Sequence, residues 1–368
     1  MADISTATLV AGGAFAAGIV FGATAQKTNF CTMGAVSDMV FLGDFRRFRA
    51  WLMAIAIAML ATQWMHSTGQ ININKAVYLT PNFNMLAAII GGLLFGFGMT
   101  MAGGCGNKTL VRIGGGNLKS IVVFLVMGVF AYMTMRGLVA AYFRIPLETA
   151  TAIPLAKSGL SSQGMSDILA KFLGMDDKTM RWVVTFLFAG GFLAFCFKDG
   201  EFRSSPRDMI AGLLIGLMVP AGWAITGVLG NDEFEPTALT SFTFVGPSGD
   251  SLMYLMTFTG SKINFGIAAV GGVIAGSTLM ALATKSFHLE AFSDADEFVR
   301  HLIGAALMGI GGVLAMGCTI GQALTGISTL ALSSLLAFLS ILAGAYLGLK
   351  HLEEGSLIGA LKAAFSRS

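Results

Sequence analysis

The chain has 368 residues, 55% of them hydrophobic and 12% charged, with a mean hydropathy of +0.76 and a net charge of +3. A soluble domain carries roughly 25% charged residues, so half that share with repeated apolar runs excludes a soluble fold and indicates a helical integral membrane protein. The small positive balance sits at helix ends, which marks membrane orientation and excludes a nucleic-acid partner.

The N-terminus, MADISTATLVAGG, lacks a basic region and is not read as a cleaved signal peptide. Nine spans follow, near residues 8–26, 50–66, 84–103, 118–141, 181–197, 208–230, 262–284, 301–316 and 328–349. Several are short for a hydrocarbon core about 30 Å thick. Spans one, three, six and eight each lead into a glycine-rich break and a short apolar piece. Such re-entrant pieces persist at membrane depth only when protein or a water-filled cavity covers them. With the N-terminus outside and the C-terminus in the cytoplasm, one side collects Lys27, Arg46, Arg47, Arg49, Lys108, Arg112, Lys119, Lys198, Arg203, Arg207, Lys285, Arg300, Lys350, Lys362 and Arg367. These are 15 of the 23 basic residues, so the positive-inside rule selects this orientation. The polar segment 142–180, with Pro146 and Pro154, becomes an external loop.

The third and eighth spans end alike. Residues 92–113 read GLLFGFGMTMAGGCGNKTLVRI and residues 305–327 read AALMGIGGVLAMGCTIGQALTGI. Gly96, Gly98, Ala102, Gly104 and Cys105 face Gly309, Gly311, Ala315, Gly317 and Cys318, five identities in ten positions. This is an internal repeat with a cysteine at each break. The first repeat is 1–141 and the second 208–349; 142–207 holds the external loop and a linking span, and 350–368 is a cytoplasmic tail. One extra crossing between the halves inverts the second. The expected fold is therefore an all-α integral membrane protein, a single membrane domain with nine transmembrane helices, short re-entrant helices and an inverted pseudo-two-fold repeat. That architecture is common among secondary transporters. A weaker pair, 18–34 against 212–228, matches only at Gly18/Gly212, Gly22/Gly216 and Thr32/Thr226, leaving Cys31 without a cysteine counterpart.

The four cysteines (Cys31, Cys105, Cys196 and Cys318) form no CxxC and no Cys/His cluster at metal spacing, so neither a disulfide framework nor a metal or other cofactor is expected. Buried cysteines are commonly small hydrophobes, and Cys196, with no break motif, is read that way. Cys31, Cys105 and Cys318 all fall at glycine-flanked breaks. A soft metal suits thiolates but finds no thioether or imidazole beside them. A thiol–disulfide or sulfur-transfer enzyme needs two cysteines close enough to bridge. A sulfur-bearing anion fits helix N-termini, whose free N–H groups attract negative charge, and neutral thiols, which donate weakly to a polarizable sulfur. Gly103, Gly104, Gly106 and Gly317 let backbone approach a ligand, whereas most other glycines, Gly271, Gly272 and Gly276 among them, serve helix packing. Lys108 and Arg112, one turn apart after Cys105, either draw the anion inward or anchor orientation. Asn29, Asn264 and Gln322 are read first as backbone caps, with Thr319 and Gln322 beside Cys318 as pathway candidates.

At KTNFCTMGAVSD (27–38), GFGMTMAGGCGNKTLVRIGGGN (96–117), KINFGIAAVGGVIAGS (262–277) and GIGGVLAMGCTIGQAL (309–324) the chain resembles the YeeE/YedE family, in its thiosulfate-transporter branch. The resemblance implies uptake of thiosulfate by a non-enzymatic cysteine relay, with Cys31, Cys105 and Cys318 handing the ion along by S–H···S contacts. It also implies a soluble TusA-like sulfur carrier as a cytoplasmic partner. Some relatives are linked to selenium compounds. The GNKTLVR stretch departs from the small residues expected there and makes Lys108 a subfamily mark.

Overall fold

The computed structural model describes residues 5–232, 237–356 and 359. It is 78% helical with almost no sheet. The tail residues Lys362 and Arg367 lie outside the described residues. Among the described residues, fifteen α-helices run in order: α1 Thr6–Thr28, α2 Thr32–Ser37, α3 Arg46–Ser67, α4 Met85–Met101, α5 Gly106–Gly114, α6 Leu118–Arg136, α7 Ile145–Thr151, α8 Met165–Leu173, α9 Asp177–Lys198, α10 Gly200–Arg203, α11 Pro206–Ala224, α12 Val245–Met256, α13 Phe265–Ala283, α14 Ala295–Leu314 and α15 Leu332–Glu354. Among the described residues, nine helical stretches are long and apolar enough to cross a membrane. The protein is a multi-pass membrane protein.

Several spans begin where a polar side chain satisfies the first free amides. Asn117 accepts from Ser120 N at 2.8 Å to start α6, and Asn264 accepts from Ile267 N at 2.9 Å to start α13. The eighth span starts at Ala295, not at 301. Asp294 caps it, accepting from Glu297 N at 2.7 Å, and Asp296 and Glu297 sit where the helix dipole favours acid. That first turn is charged, so hydropathy hid it. The sixth span ends where expected, at Leu229, but the piece after it differs. α11 continues into a π-helical turn over 225–229, and the chain then runs as non-helical backbone through 237–244 before α12.

Close helix contact at glycine holds the bundle together. α1 packs along α13, with Gly18 against Gly272 and Gly22 against Val273. α11 packs along α3, with Gly212 against Ala50 and Gly216 against Ala54. α4 lies between α14 and α15, and α14 also packs on α6. A methyl at Gly22 or Gly96 would fall 2.1 Å from a carbonyl oxygen of the facing helix, so these contacts admit only hydrogen. Exchanging α1 with α11, α3 with α13, α4 with α14 and α6 with α15 turns this set of packing pairs into itself. The short α2 and α12 exchange too: α2 touches α3 and α15, while α12 touches α13 and α6.

Loops gather at the two ends. At one end the strand pair β1 (Asn82–Phe83) and β2 (Ile153–Pro154) joins the 80s to the 150s, and Gly164 bridges Ala331. At the other, Asn117 bridges Glu290, and Lys119 pairs with Glu290 and Glu297. Lys119 holds the Glu290 carboxyl below the usual range. The linking span α9 packs on α3, where Cys196 Sγ donates to Arg49 O at 3.2 Å, a packing role.

Candidate functional site

Three breaks share one local geometry. Each helix ends on a residue in the left-handed region: Asn29 (φ 57°), Gly103 (φ 70°) and Met316 (φ 60°). The next residue sends its amide back to close the helix: Phe30 to Ala25 O at 3.2 Å, Gly104 to Met99 O at 2.8 Å, and Gly317 to Gly312 O at 2.7 Å. This is the Schellman pattern of helix termination. The residue after that is a cysteine in all three cases, and it opens the next helical piece: α2 after Cys31, α5 after Cys105, and a π-helical turn over 320–326 after Cys318. The backbone therefore presents each sulfur at the start of a helix, where unpaired amides lie. Gly34 N donates to Cys31 Sγ and Gly321 N to Cys318 Sγ, both at 3.5 Å.

All three thiols are buried and free. Cys31 and Cys105 are near neighbours, and Thr319 is near Cys105. Cys318 lies 3.9 Å from Thr243 Oγ1. The Tyr78 hydroxyl lies on the same side, close to Gly321 as Thr243 is. Burial holds the Tyr78 phenol above its ordinary value, so it stays protonated. Soft and hydroxyl groups therefore gather near the breaks: Cys31, Cys105, Thr319, Cys318, Thr243 and Tyr78. Thr226, matched to Thr32 in the sequence, is instead turned into the 240 loop, accepting from Thr240 N at 3.2 Å and donating to its carbonyl at 2.7 Å. Phe244 directly precedes α12 as Cys31 directly precedes α2, and Thr243 lies one residue further from its helix.

Side chains clamp each break. Arg47 Nη2 donates to Asn29 O at 2.8 Å and Arg112 Nη1 to Gly103 O at 2.8 Å. Lys108 Nζ bonds Asn29 Oδ1, which brings the first and second breaks together. At the third break the clamp is neutral: Gln322 Nε2 bonds Ala315 O. Lys108 and Arg112 thus sit where expected, but both are tied to break backbone or its side chain. Of the glycines, Gly103 is required by its positive φ. A methyl at Gly104 would press on Lys108 at 3.1 Å and one at Gly317 on Gly321 at 3.2 Å, whereas Gly106 has ordinary room, 3.7 Å from Met127.

Buried polar atoms without a partner collect here: Thr32 Oγ1, Asn107 Nδ2 and Oδ1, Thr319 Oγ1 and Gln322 Oε1. Each of these residues is within four positions of a break cysteine. An unpaired buried polar group costs about 1–3 kcal/mol, which a ligand would recover. A cavity opens at the second break and another at the opposite loop end. One of about 270 Å³ is lined by Met33, Gly103, Arg112, Lys119, Arg300 and His301. One of about 530 Å³ at the opposite loop end is lined by residues including Asn72, Lys75, Thr226 and Asn231. The sequence reading missed Arg47, Asn107, Thr243, Tyr78 and His301. Only Asn107 had a cue, its place two residues after Cys105.

Residues 27–347 match the family described as sulphur transport, a range that holds all three break cysteines. The chain belongs to the sulphur-transport family. Among curated relatives, the thiosulfate transporter TsuA of Spirochaeta thermophila is 26% identical over 330 residues, 89% of this chain and 94% of that protein. The thiosulfate transporter TsuA of Escherichia coli is 24% identical over 315 residues, 83% of this chain and 84% of that protein. A protein named probable transporter YedE, also from Escherichia coli, matches at 31% over 96 residues, 26% of this chain and 22% of that protein.

Proposed function

We propose that this member of the family takes up thiosulfate, or a closely related small sulfur-containing anion, across the bacterial inner membrane. The N-terminus lies outside and the C-terminus in the cytoplasm, and the halves form an inverted repeat. The anion enters from the cavity beside Lys75, passes Cys318, Cys105 and Cys31, and leaves toward the basic side near Arg112. There a TusA-like carrier is the natural acceptor. The observation that carries the reading is the cysteine placed identically after three left-handed helix ends, with unpaired polar atoms of Thr32, Asn107 and Thr319 beside it. Neutral thiols donate to the terminal sulfur, while amide and hydroxyl donors suit the sulfonate oxygens. Nothing in this pathway needs a covalent step or a cofactor.

A second reading has one observation in its favour. Cys31 and Cys105 are near neighbours, whereas a relay of separated thiols needs no such closeness. In a covalent sulfur-transfer enzyme these two would trade a bound sulfur. Radiolabelled thiosulfate uptake into proteoliposomes, with sulfate and selenite as competitors, tests the proposal; intact-protein mass spectrometry after loading tests the alternative. Transport predicts saturable uptake, weak competition by sulfate and an unmodified protein mass. A persulfide or thiosulfonate adduct on Cys31 or Cys105 during turnover would overturn it in favour of covalent transfer.

A further inference from the structure

A trough of about 700 Å³ runs along the outside of the bundle between α1, α11 and α13. Its walls are apolar: Ile19 and Ala23 on α1, Ile210 and Leu214 on α11, and Met280 on α13. Lys27 in the last turn of α1 and Arg207 in the first turn of α11 close one end. From Lys27 to Ile19 is eight residues of helix, about 12 Å at 1.5 Å per residue, close to the depth of one leaflet of a 30 Å core. Both cations are exposed, and among the described residues neither is in an ion pair. Arg46, Arg47, Arg49 and Lys119, at the same loop end, are each paired with a carboxylate. No carboxylate is among the residues that line the trough.

We propose that the trough is a binding site for an anionic glycerophospholipid, with one acyl chain along α1 and α11 and the phosphate between Lys27 and Arg207. The charge pattern selects this occupant. Two unpaired cations complement a phosphodiester, and the lining offers no acid to a zwitterionic lipid's ammonium. A second copy of the chain is disfavoured, because a two-fold contact through this face would bring Lys27 and Arg207 up to their own copies. Thr28 lines both the trough and the small pocket at Cys31, so the headgroup lies next to Cys31. The site stands independently of the transported ion.

Native mass spectrometry of the purified full chain with added phosphatidylglycerol or phosphatidylcholine tests this. The wild type should retain one phosphatidylglycerol under activation that strips phosphatidylcholine. Each basic residue near a membrane surface contributes about 1 kcal/mol toward anionic lipid, so Lys27→Gln with Arg207→Gln should lower retention about tenfold or more. Ala23→Phe, which fills the trough and keeps both cations, should lower it as well, while Arg203→Gln should not. Circular dichroism and monodisperse elution show that each variant is folded. Equal retention of the two lipids by the wild type would overturn the proposal, as would unchanged phosphatidylglycerol retention in the double variant. A dimer mass that the double variant loses would replace the lipid with a protein interface.

Discussion

The Cys105 and Cys318 breaks start from nearly the same sequence and end differently. Each helix stops in the same hydrogen-bond pattern and puts a cysteine two residues beyond a left-handed residue. At Cys105 that residue is glycine, the following piece is α-helical, and it carries Lys108 and Arg112. At Cys318 it is Met316, the following piece is a π-helical turn, and the clamp is the uncharged Gln322. Backbone geometry is what the two copies keep. Charge is what they divide, with the cations on the piece that leads to the basic loop end. The clamps at the two breaks therefore differ in charge although their backbone turns agree.

The largest effect that would break this comparison is at the cysteines. Cys318→Ala should cut growth on thiosulfate as sole sulfur source to background in a host lacking other importers. Cys31→Ala, at the break without a cysteine counterpart, should weaken growth less, and Cys196→Ala should be silent. A silent Cys318→Ala would separate the two breaks in function. Next is the serine test at Cys105. A hydroxyl keeps a donor of similar reach, so Cys105→Ser should retain partial uptake, roughly tenfold below wild type and above Cys105→Ala. Equal loss in both would point to sulfur chemistry that oxygen cannot supply.

Arg112 separates clamp from attractor. Its bond to Gly103 O is charge-assisted, a class worth about 1.5–3 kcal/mol. Arg112→Gln should therefore lower uptake about tenfold, and the variant-to-wild-type ratio should be the same at low and high salt. Long-range attraction is screened over about 8 Å at physiological ionic strength, so a ratio that approaches one at high salt would make Arg112 an attractor instead.

Smaller effects follow from backbone strain. A non-glycine residue in the left-handed region costs about 1–2 kcal/mol. Met316→Gly should raise thermal stability by about 1 kcal/mol and Gly103→Ala should lower it by about as much, as read from melting in detergent. The smallest effect is at the Lys119–Glu290 pair, whose acid is nearly half exposed. Because Lys119 depresses the Glu290 value in the folded state, its contribution is present above the ordinary glutamate range and fades as pH falls through the depressed value. Glu290→Gln should melt slightly lower than wild type near pH 7, and the difference should shrink as pH falls below the ordinary glutamate range. A constant difference across that range would assign the effect to packing.

The spans and the two matched breaks were legible because apolar length and repeated glycine positions leave direct marks in sequence. Start points were less so: the charged first turn of α14 is invisible to hydropathy, although Asp294 is a recognisable cap. The weaker alignment of 18–34 with 212–228 set Cys31 against Ile225, which lies in the π-helical turn that continues α11 and not at a break. Tyr78 reaches the Cys318 region from a loop more than two hundred residues earlier, and no local pattern records such a contact. Arg47 looked like an orientation signal because its composition role and its clamp on Asn29 O draw on the same residue. Met316 gave no sign of its left-handed backbone, since methionine ordinarily avoids it.

The most direct measurement is uptake of thiosulfate labelled on its outer sulfur into proteoliposomes holding equal amounts of wild type or Cys105→Ala. The account predicts that wild type accumulates label recoverable as intact thiosulfate while Cys105→Ala stays at the level of protein-free liposomes. Wild-type uptake by well-folded Cys105→Ala would contradict it.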